Sequence, residues 1–420
     1  MTDLMSDDSL FAGIDIGSTA VRIAVGQKMP ASDRGQVHIL GAAESTSEGI
    51  NRGVINSIED AVSSVSACIE KVERTTGLPI GSAWISISGA HVNMIESKGV
   101  VAVSRTDGEI REDDIERAVD AAQTVATPVN YEIIHVIPKS FAVDSQNEIK
   151  DPLGMTGIRL EVDTQIIQGL SSHIKNLTKC VYRTGANIER LVLGILATSE
   201  AVATARQKEI GVAVVNLGGA SANISVFERG DILRIAALPI GSDHVTADIA
   251  IGLRTSIDVA ERVKLQYASA LPKNFGKNDK IDLQDLGMAD SEEVSLKYVA
   301  EIVEARCEEL LEKVDKELKE IGKSGLLPGG VILTGGGAKL PGLVDLAKDK
   351  LRLPVSLGYP VGMSSITDRI NDLSFTTAIG LVQWGVNEMP GDSKRGGLLG
   401  RYKPVEKMTK GIRKLFGVAS

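Results

Sequence analysis

Over its first fifty residues the chain alternates apolar and polar positions in short runs. Phe11 to Asp15, Val21 to Val25 and Gln36 to Ala43 read as three strands of a meander, the last with Val37, Ile39 and Leu40 in an extended run. Beyond Ser57 the period becomes helical. Ile58, Ala61, Val62, Val65, Cys68, Ile69 and Val72 share one face, and Glu59 and Asp60 sit in the first turn, where the helix dipole favours acidic residues. Pro79 and Gly81 break the chain, and Ala83 to Ser88 is a further strand ending at Gly89.

The next stretch, to about Val162, has its own rhythm. Val100 to Val103 predicts a strand and Arg111 to Val125 a helix. Tyr131 to Val136 and Lys139 to Val143 predict two strands split by Pro138, Asp151 to Met155 a turn, and Ile158 to Gln168 a long returning strand. This packet reads as an inserted α+β subdomain, and a helix from Ser172 to Thr184 leads back to the main fold. The second half then repeats the first: Gly211 to Asn216, Ala222 to Phe227 and Ile232 to Pro239 form another meander. Helices follow at Ser242 to Ile251 and Ser256 to Ala268. Residues 272–293 are polar and aperiodic and read as a surface excursion. Val294 to Glu320 is a long helix, Gly330 to Thr334 a strand, Gly342 to Leu351 a helix and Phe375 to Val386 a last apolar helix.

The repeat extends to single residues. Laying Asp15 over Asn216 brings Gly17 onto Gly218 and Val25 onto Val226, so each copy is a strand, a polar residue, a Gly-rich turn and a second strand. Such turns aim successive backbone N–H groups at an anion, and the missing Cβ atoms let a phosphate approach. A lone glycine turn is usually just a tight hairpin; two, joined by Gly335-Gly336-Gly337 between a strand and a helix, suggest a phosphate chain clamped between related halves. Neither G-x-x-x-x-G-K-[ST] nor a strand-linked G-x-G-x-x-G occurs, so the site is neither a P-loop nor a Rossmann fold. Asp15 suits Mg²⁺, a hard cation that prefers carboxylate oxygen; capping its own turn is the competing role. The expected architecture is two-lobed α/β with a nucleotide in the cleft.

Composition narrows this reading. Hydrophobic residues make up 43% and charged residues 24% of the 420, which is ordinary for a globular protein, and aromatics only 3%, so the core must be aliphatic. A net charge of −9 argues against nucleic acid as the main partner. Cys68, Cys180 and Cys307 lie far apart without metal-ligand spacing and read as buried or incidental thiols of a reducing cytoplasm. Met1 to Ser9 is acidic and lacks a signal-peptide pattern, and no run of about 18 apolar residues occurs, so a cytoplasmic protein is expected.

The C-terminus reverses the charge. From Lys394 onward, eight basic residues face only Glu406. Gly391 to Gly400 reads as a linker. After Pro404, which can open a helix, Val405, Met408, Ile412, Leu415 and Phe416 fall on a stripe roughly 100° wide, with Lys407, Lys410 and Lys414 opposite. A basic amphipathic helix on a tether reads as an anchor for an anionic membrane surface, with Met408, Lys410, Ile412, Arg413, Lys414, Leu415 and Phe416 as its contacts. A nucleic-acid tail and a solubilising tail are the rivals; the clean apolar stripe disfavours both.

The three loops, the duplicated lobes and the motif order resemble the actin-like ATPase superfamily and, within it, the FtsA family of bacterial cell-division actin homologues. Gly13 to Thr19 resembles the first phosphate motif. Ile133 to Pro138 with Asp151 to Gly157 resembles the subdomain that FtsA carries in place of one actin subdomain. Pro239-Ile240-Gly241, Asp248 to Ala250 and Ala260 to Lys264 resemble the segment running to the adenine pocket, and Leu333 to Ala338 with Leu340-Pro341-Gly342 the adenosine motif. The resemblance spans roughly residues 11–390. It implies a two-lobed actin-like (ribonuclease H-like) fold with an inserted α+β subdomain and a C-terminal amphipathic helix. Lobe 1 would comprise 10–83, 164–205 and 375–390, with the insertion at 84–163. Lobe 2 would comprise 206–242 and 328–374 with an accessory subdomain at 243–327, followed by a linker at 391–404 and a membrane helix at 405–418.

By that resemblance ATP and Mg²⁺ are the expected ligands. Asp15, Gly17, Ser18, Thr19 and Arg22 would hold one side and Asn216, Gly218, Gly219 and Ser221 the other. Gly241, Glu261 and Lys264 would line the base and ribose, opposite Gly335, Gly336 and Gly337. Many superfamily members have Asp where Asn216 stands and a second acid where Asn223 stands; a neutral amide cannot be a general base, so slow or absent hydrolysis is expected. Glu200 as a substitute base competes with a helix-surface carboxylate, and His135 as a base with a structural role. The resemblance further implies self-association into protofilaments, other division proteins as partners, and binding of the C-terminal peptide of tubulin-like FtsZ to the accessory subdomain, at the cytoplasmic side of the cell membrane. Arg306 would contact that peptide; pairing with Glu309 at i, i+3 is its alternative role. A PilM-type pilus-assembly actin homologue and a sugar or metabolite kinase are the competing functions.

Overall fold

The computed structural model describes residues 10–29, 37–126 and 128–388. Gln36, the 391–404 linker and the 405–418 helix expected from sequence lie outside the described residues.

The chain opens with β1 (Leu10–Ile16), β2 (Ala20–Lys28) and β3 (Val37–Thr46), a short hairpin of β4 (Ile50–Asn51) and β5 (Val54–Ile55), helix α1 (Ile58–Thr76) and β6 (Ser82–Ile87). Then come β7 (Val92–Ala102), α2 (Glu112–Ala126), β8 (Tyr131–Val143), β9 (Gln146–Ile149) and β10 (Arg159–Leu170). Helix α3 (Ser171–Arg183), β11 (Asn187–Leu193), α4 (Gly194–Val202) and α5 (Ala205–Ile210) lead to β12 (Val212–Leu217), β13 (Ala222–Glu228) and β14 (Asp231–Leu238). Next are α6 (Ser242–Gly252), α7 (Ile257–Tyr267), β15 (Lys280–Asp282), β16 (Glu293–Ser295) and α8 (Leu296–Glu320). The described chain finishes with β17 (Val331–Thr334), α9 (Leu343–Leu351), β18 (Val355–Leu357), β19 (Met363–Ser365) and α10 (Thr376–Asn387).

The duplication seen in sequence is carried through the sheets. One has strand order β11-β6-β1-β2-β3-β19 and the other β18-β17-β12-β13-β14, so five strands correspond one for one and β19 is an addition. In the first, β1 runs antiparallel to β2 with Asp15 opposite Arg22; in the second, β12 runs antiparallel to β13 with Asn216 opposite Asn223. Each central strand is also parallel to a later one, β6 or β17, so the residue before each Gly turn sits at a strand end in mid-sheet.

Helix α4 packs on β11 and β6 of the first sheet and on β12 and β13 of the second, whereas α10 packs on β1 and β2. The two helices cross between the sheets. Gly380 allows it: a Cβ there would lie 2.0 Å from the Ala197 carbonyl oxygen. Gly13 likewise brings β1 against α10, where a Cβ would meet Ala378 O at 2.3 Å. The sparse aromatics serve as plugs, with Trp384, Phe227 and Phe375 fully buried.

The third sheet, β7-β10-β8-β9, is covered by α2 and forms a separate small core around Ile110, Leu160 and Ile166. Three sequence expectations need correction. The strand expected at Val100 to Val103 is only the end of β7, which begins at Val92 and pairs with β10 along its whole length. Pro138 does not split a strand: β8 continues through it, because β9 pairs only with the Phe141–Val143 end and a register shift at Asp163/Thr164 absorbs the ring, which has no N–H. Residues 272–293 are not a bare excursion. They form the β15–β16 hairpin and short 3₁₀ turns, held by buried Ile281, Leu283 and Leu286, apolar positions too few to show a period.

Candidate nucleotide-binding cleft

The two copied turns are closed by the same bond at equivalent positions: Gly17 N–H donates to Ala20 O at 3.2 Å and Gly218 N–H to Ser221 O at 2.9 Å. A Cβ on either glycine would press on that acceptor, at 2.8 and 2.9 Å, so each turn needs glycine for its close approach. The carbonyls of Gly218 and Gly219 accept from Ser242 and Asp243 N–H at 3.0 and 2.9 Å, which docks the start of α6 on the second turn. The third turn follows β17, where Gly335 has φ of 84° and no room for a side chain beside Asn216 Oδ1.

These turns border two adjoining cavities of about 140 and 530 Å³. Asp15, Gly17, Ser18, Asn216, Gly218, Gly219, Ser221 and Gly335 line the smaller; Gly241, Glu261 and Lys264 line the larger; Thr19, Arg22, Gly336 and Gly337 line both. Every cleft residue expected from sequence is therefore brought to one continuous cleft. Also present, without a signal in any motif, are Glu44, Asp243, Ser374 and Thr377, delivered by segments far apart in the chain.

Asp15 accepts a hydrogen bond from Ser86 Oγ at 2.7 Å, yet burial pushes its carboxyl above the usual range, against the opposing pull of that bond and of Arg22. Asp243 is also raised, first by burial, with Lys264 lowering it and Glu261 raising it; the Thr19 hydroxyl bonds to it across the cleft. Lys264 Nζ reaches Glu261 at 2.7 Å and Thr246 Oγ1 at 2.8 Å, and Arg22 Nε reaches Glu44 at 3.2 Å beneath the Phe375 ring. No cluster of three or more metal-ligating His, Cys, Asp or Glu side chains occurs among the described residues. A divalent cation here would rest on Asp15 together with ligand oxygens and water, the usual manner of Mg²⁺. A desolvated carboxylate beside a polar cavity fits that role.

Asn216 is committed elsewhere. Its Nδ2 donates to Thr377 Oγ1 at 2.9 Å and Thr198 Oγ1 at 3.3 Å, tying β12 to both crossing helices. Glu200 is neither a surface carboxylate nor a cleft base: it pairs with Lys208 at 2.6 Å, both side chains largely buried. His135 is structural. Its Nε2 accepts from Leu193 N–H at 3.0 Å, and burial holds the imidazole down at about 3, neutral at physiological pH. Arg306 does pair with Glu309, but Asp248 on α6 also grips it, with Nη2 donating at 2.8 Å, and it lines the larger cavity. The three cysteines are free and buried.

Residues 213–380 match the family model described as cell division protein FtsA, and residues 89–168 the model of the SHS2 domain inserted in FtsA. The cell division protein FtsA of Pseudomonas aeruginosa is 36% identical over 379 residues, covering 90% of each chain. This chain belongs to the FtsA family. The FtsA of Bacillus subtilis is also 36% identical, over 90% of this chain and 84% of its own, and that of Escherichia coli K12 is 30% identical over 90% and 91%. Among solved structures, a PilM–PilN type IV pilus biogenesis complex aligns over 90% of this chain and 98% of its own at TM-score 0.64 and 16% identity. MreB5 of Spiroplasma citri bound to ADP aligns over 92% and 100% at TM-score 0.54 and 12% identity. Those likenesses establish the actin-like fold, whereas the FtsA identities set the family apart from PilM.

Proposed function

We propose that this FtsA-family chain binds ATP with Mg²⁺ between its lobes, turns it over slowly if at all, polymerises, and tethers FtsZ to the cytoplasmic face of the membrane at the division site. The carrying observation is the continuity of the cleft: a small cavity bordered by two copied glycine turns opens into a larger one lined by Glu261 and Lys264. The first suits a phosphate chain met by backbone N–H groups, the second a nucleoside. Asp15 would hold the cation, which neutralises phosphate charge when bound, while Thr19 and Asp243 bridge the lobes at the boundary of the two cavities. Slow turnover follows from Asn216: a neutral amide, already donating to two threonines, takes no proton from water. The neutral amide at 216 also removes one candidate for the general base that a metabolite kinase would need. MreB5, a fold relative, is described with ADP bound, in keeping with a nucleotide cleft. Among the described residues no helix is long and apolar enough to cross a membrane, so the proposed attachment falls to the basic amphipathic stretch at 405–418.

Thermal unfolding with and without nucleotide tests the cleft. ATP at a hundredfold excess over its dissociation constant should stabilise the protein by about 2.7 kcal/mol. Removing Mg²⁺ or introducing Asp15→Asn should cut that gain, and the Asn variant should lose its response to Mg²⁺. No shift with ATP and Mg²⁺ would overturn the reading.

A further inference from the structure

A separate cavity of about 510 Å³ opens at the far end of the first sheet, away from the nucleotide cleft. Its floor is Phe11, Ala12 and Val25, all buried. Trp84 forms one wall, tilted against Phe11 at 5.4 Å, and Leu78 and Pro79 another. The α10 backbone presses on these rings at Gly385, where a Cβ would lie 2.9 Å from both Phe11 and Trp84. Leu10 and Glu388, the first and last described residues of the chain, both line this cavity. Glu388 is engaged by Trp84, Trp384 and Arg190, whereas Glu189, also in the lining, has no ion pair among the described residues.

We infer that this cavity is the lipid-free docking site of the chain's own C-terminal segment, residues 405–418, which inserts its Leu415–Phe416 end and is released when that stripe enters a membrane. The occupant is argued from where the chain goes. It passes Glu388 at the cavity wall, and a coil of the length and composition of residues 391–404 would span about 20 Å. That tether keeps the stripe near the cavity mouth at an effective concentration on the order of 1 mM. Charge agrees: the segment carries Lys407, Lys410, Arg413 and Lys414, while Glu189 lines the cavity. A docking constant on the order of 0.1 mM would leave about nine-tenths of the chains docked. The inference rests on the tail being the membrane contact, and it adds a competitor for the same stripe.

Tryptophan fluorescence reads it directly in the full chain. Of the two tryptophans Trp384 is fully buried, so acrylamide quenching reports Trp84 at the cavity. Without lipid, Leu415→Glu with Phe416→Glu should raise the quenching constant roughly two-fold as the docked fraction falls. Vesicles of phosphatidylcholine and phosphatidylglycerol should do the same to the unaltered chain. Gly81→Leu meets nothing within 4 Å and should fold normally while filling the cavity mouth. Freed of the docked state, it should bind those vesicles roughly ten-fold more tightly. Unchanged quenching in the tail variant overturns the inference. So does exposure of Trp84 on deleting residues 2–9 but not on altering the tail, which assigns the cavity to the N-terminal segment. Quenching that varies with protein concentration overturns it in favour of a second copy, and vesicle binding by both the unaltered chain and Gly81→Leu with the same affinity overturns it as well. If the tail variant exposes Trp84 while no form binds vesicles, docking stands and the membrane reading falls.

Discussion

His91 and His173 stack with ring centroids 4.6 Å apart, where the inserted subdomain leaves lobe 1. Both ring nitrogens of His91 and Nδ1 of His173 are buried without a hydrogen-bond partner. Burial first, then His173, lowers His91 from 6.5 to about 4, and burial lowers His135 to about 3. With both folded values below the unfolded one, the unfolded chain binds protons first on acidification, so stability falls as pH drops from 6.5 toward 4. His91→Phe keeps the stack and removes two unsatisfied nitrogens. It should raise stability by about 1 kcal/mol at pH 7 and flatten the acid slope; urea unfolding at pH 7 and pH 5 checks both, and an unaltered slope would refute the assignment. At the cleft, phosphate release should give a turnover well below ~1 s⁻¹, the low end of ordinary enzymes. Asn216→Asp should raise it several-fold by supplying the missing carboxylate. Rapid wild-type turnover, indifferent to that substitution, would defeat the slow-hydrolysis reading. Asn216 as a non-base was legible because the residue type alone decides it; its bonds to Thr198 and Thr377 were not, since those partners come from separate helices.

The strands and helices that follow a strict period were legible almost to the residue. α1 begins directly after Ser57, as its period predicts, and the Ser57 hydroxyl accepts from Asp60 N–H. Short elements were not. β9, β11, β18 and β19 are three to seven residues of ordinary composition, and their strand character comes from the neighbour they pair with. Helix α4 is buried on nearly every side, so it carries no amphipathic stripe to read. Its crossing with α10 is governed by Gly380, a residue that helix propensity alone would disfavour. Gly380→Leu would drive a side chain into the Ala197 backbone and should cost about 3 kcal/mol, through overpacking that cannot relax in so tight a crossing. A melting temperature lowered by less than a few degrees would show that the helices separate easily.

Across the whole molecule, the inserted subdomain reaches the second lobe: Lys150 pairs with Asp231 at 2.7 Å and Gln165 Nε2 donates to Ile232 O at 2.6 Å. Lobe movement driven from the cleft would therefore be felt there. On the accessory side, Ile251 and Tyr298 are exposed on α6 and α8 around Gly252, whose Cβ would lie 3.7 Å from Tyr298 Oη. An apolar surface of this kind fits the proposed capture of the FtsZ C-terminal peptide. Pull-down with that peptide should succeed, and Ile251→Glu should weaken it about ten-fold. Arg306→Ala should weaken it too, but with a loss of thermal stability, because the guanidinium also holds Asp248. No capture by the unaltered chain would refute the adaptor role.

The duplication, the three glycine turns, the absence of an acid at position 216 and the charge reversal of the tail are all written in the linear chain. Each depends on residue type and spacing, which a linear chain displays in full. Folding alone brings Asp243 to Thr19, turns Arg306 to Asp248 and the cleft, and makes Leu10 and Glu388 converge on one cavity. Those are meetings of residues remote in the chain, and nothing local to either partner specifies them; the packing of two sheets through crossed helices does.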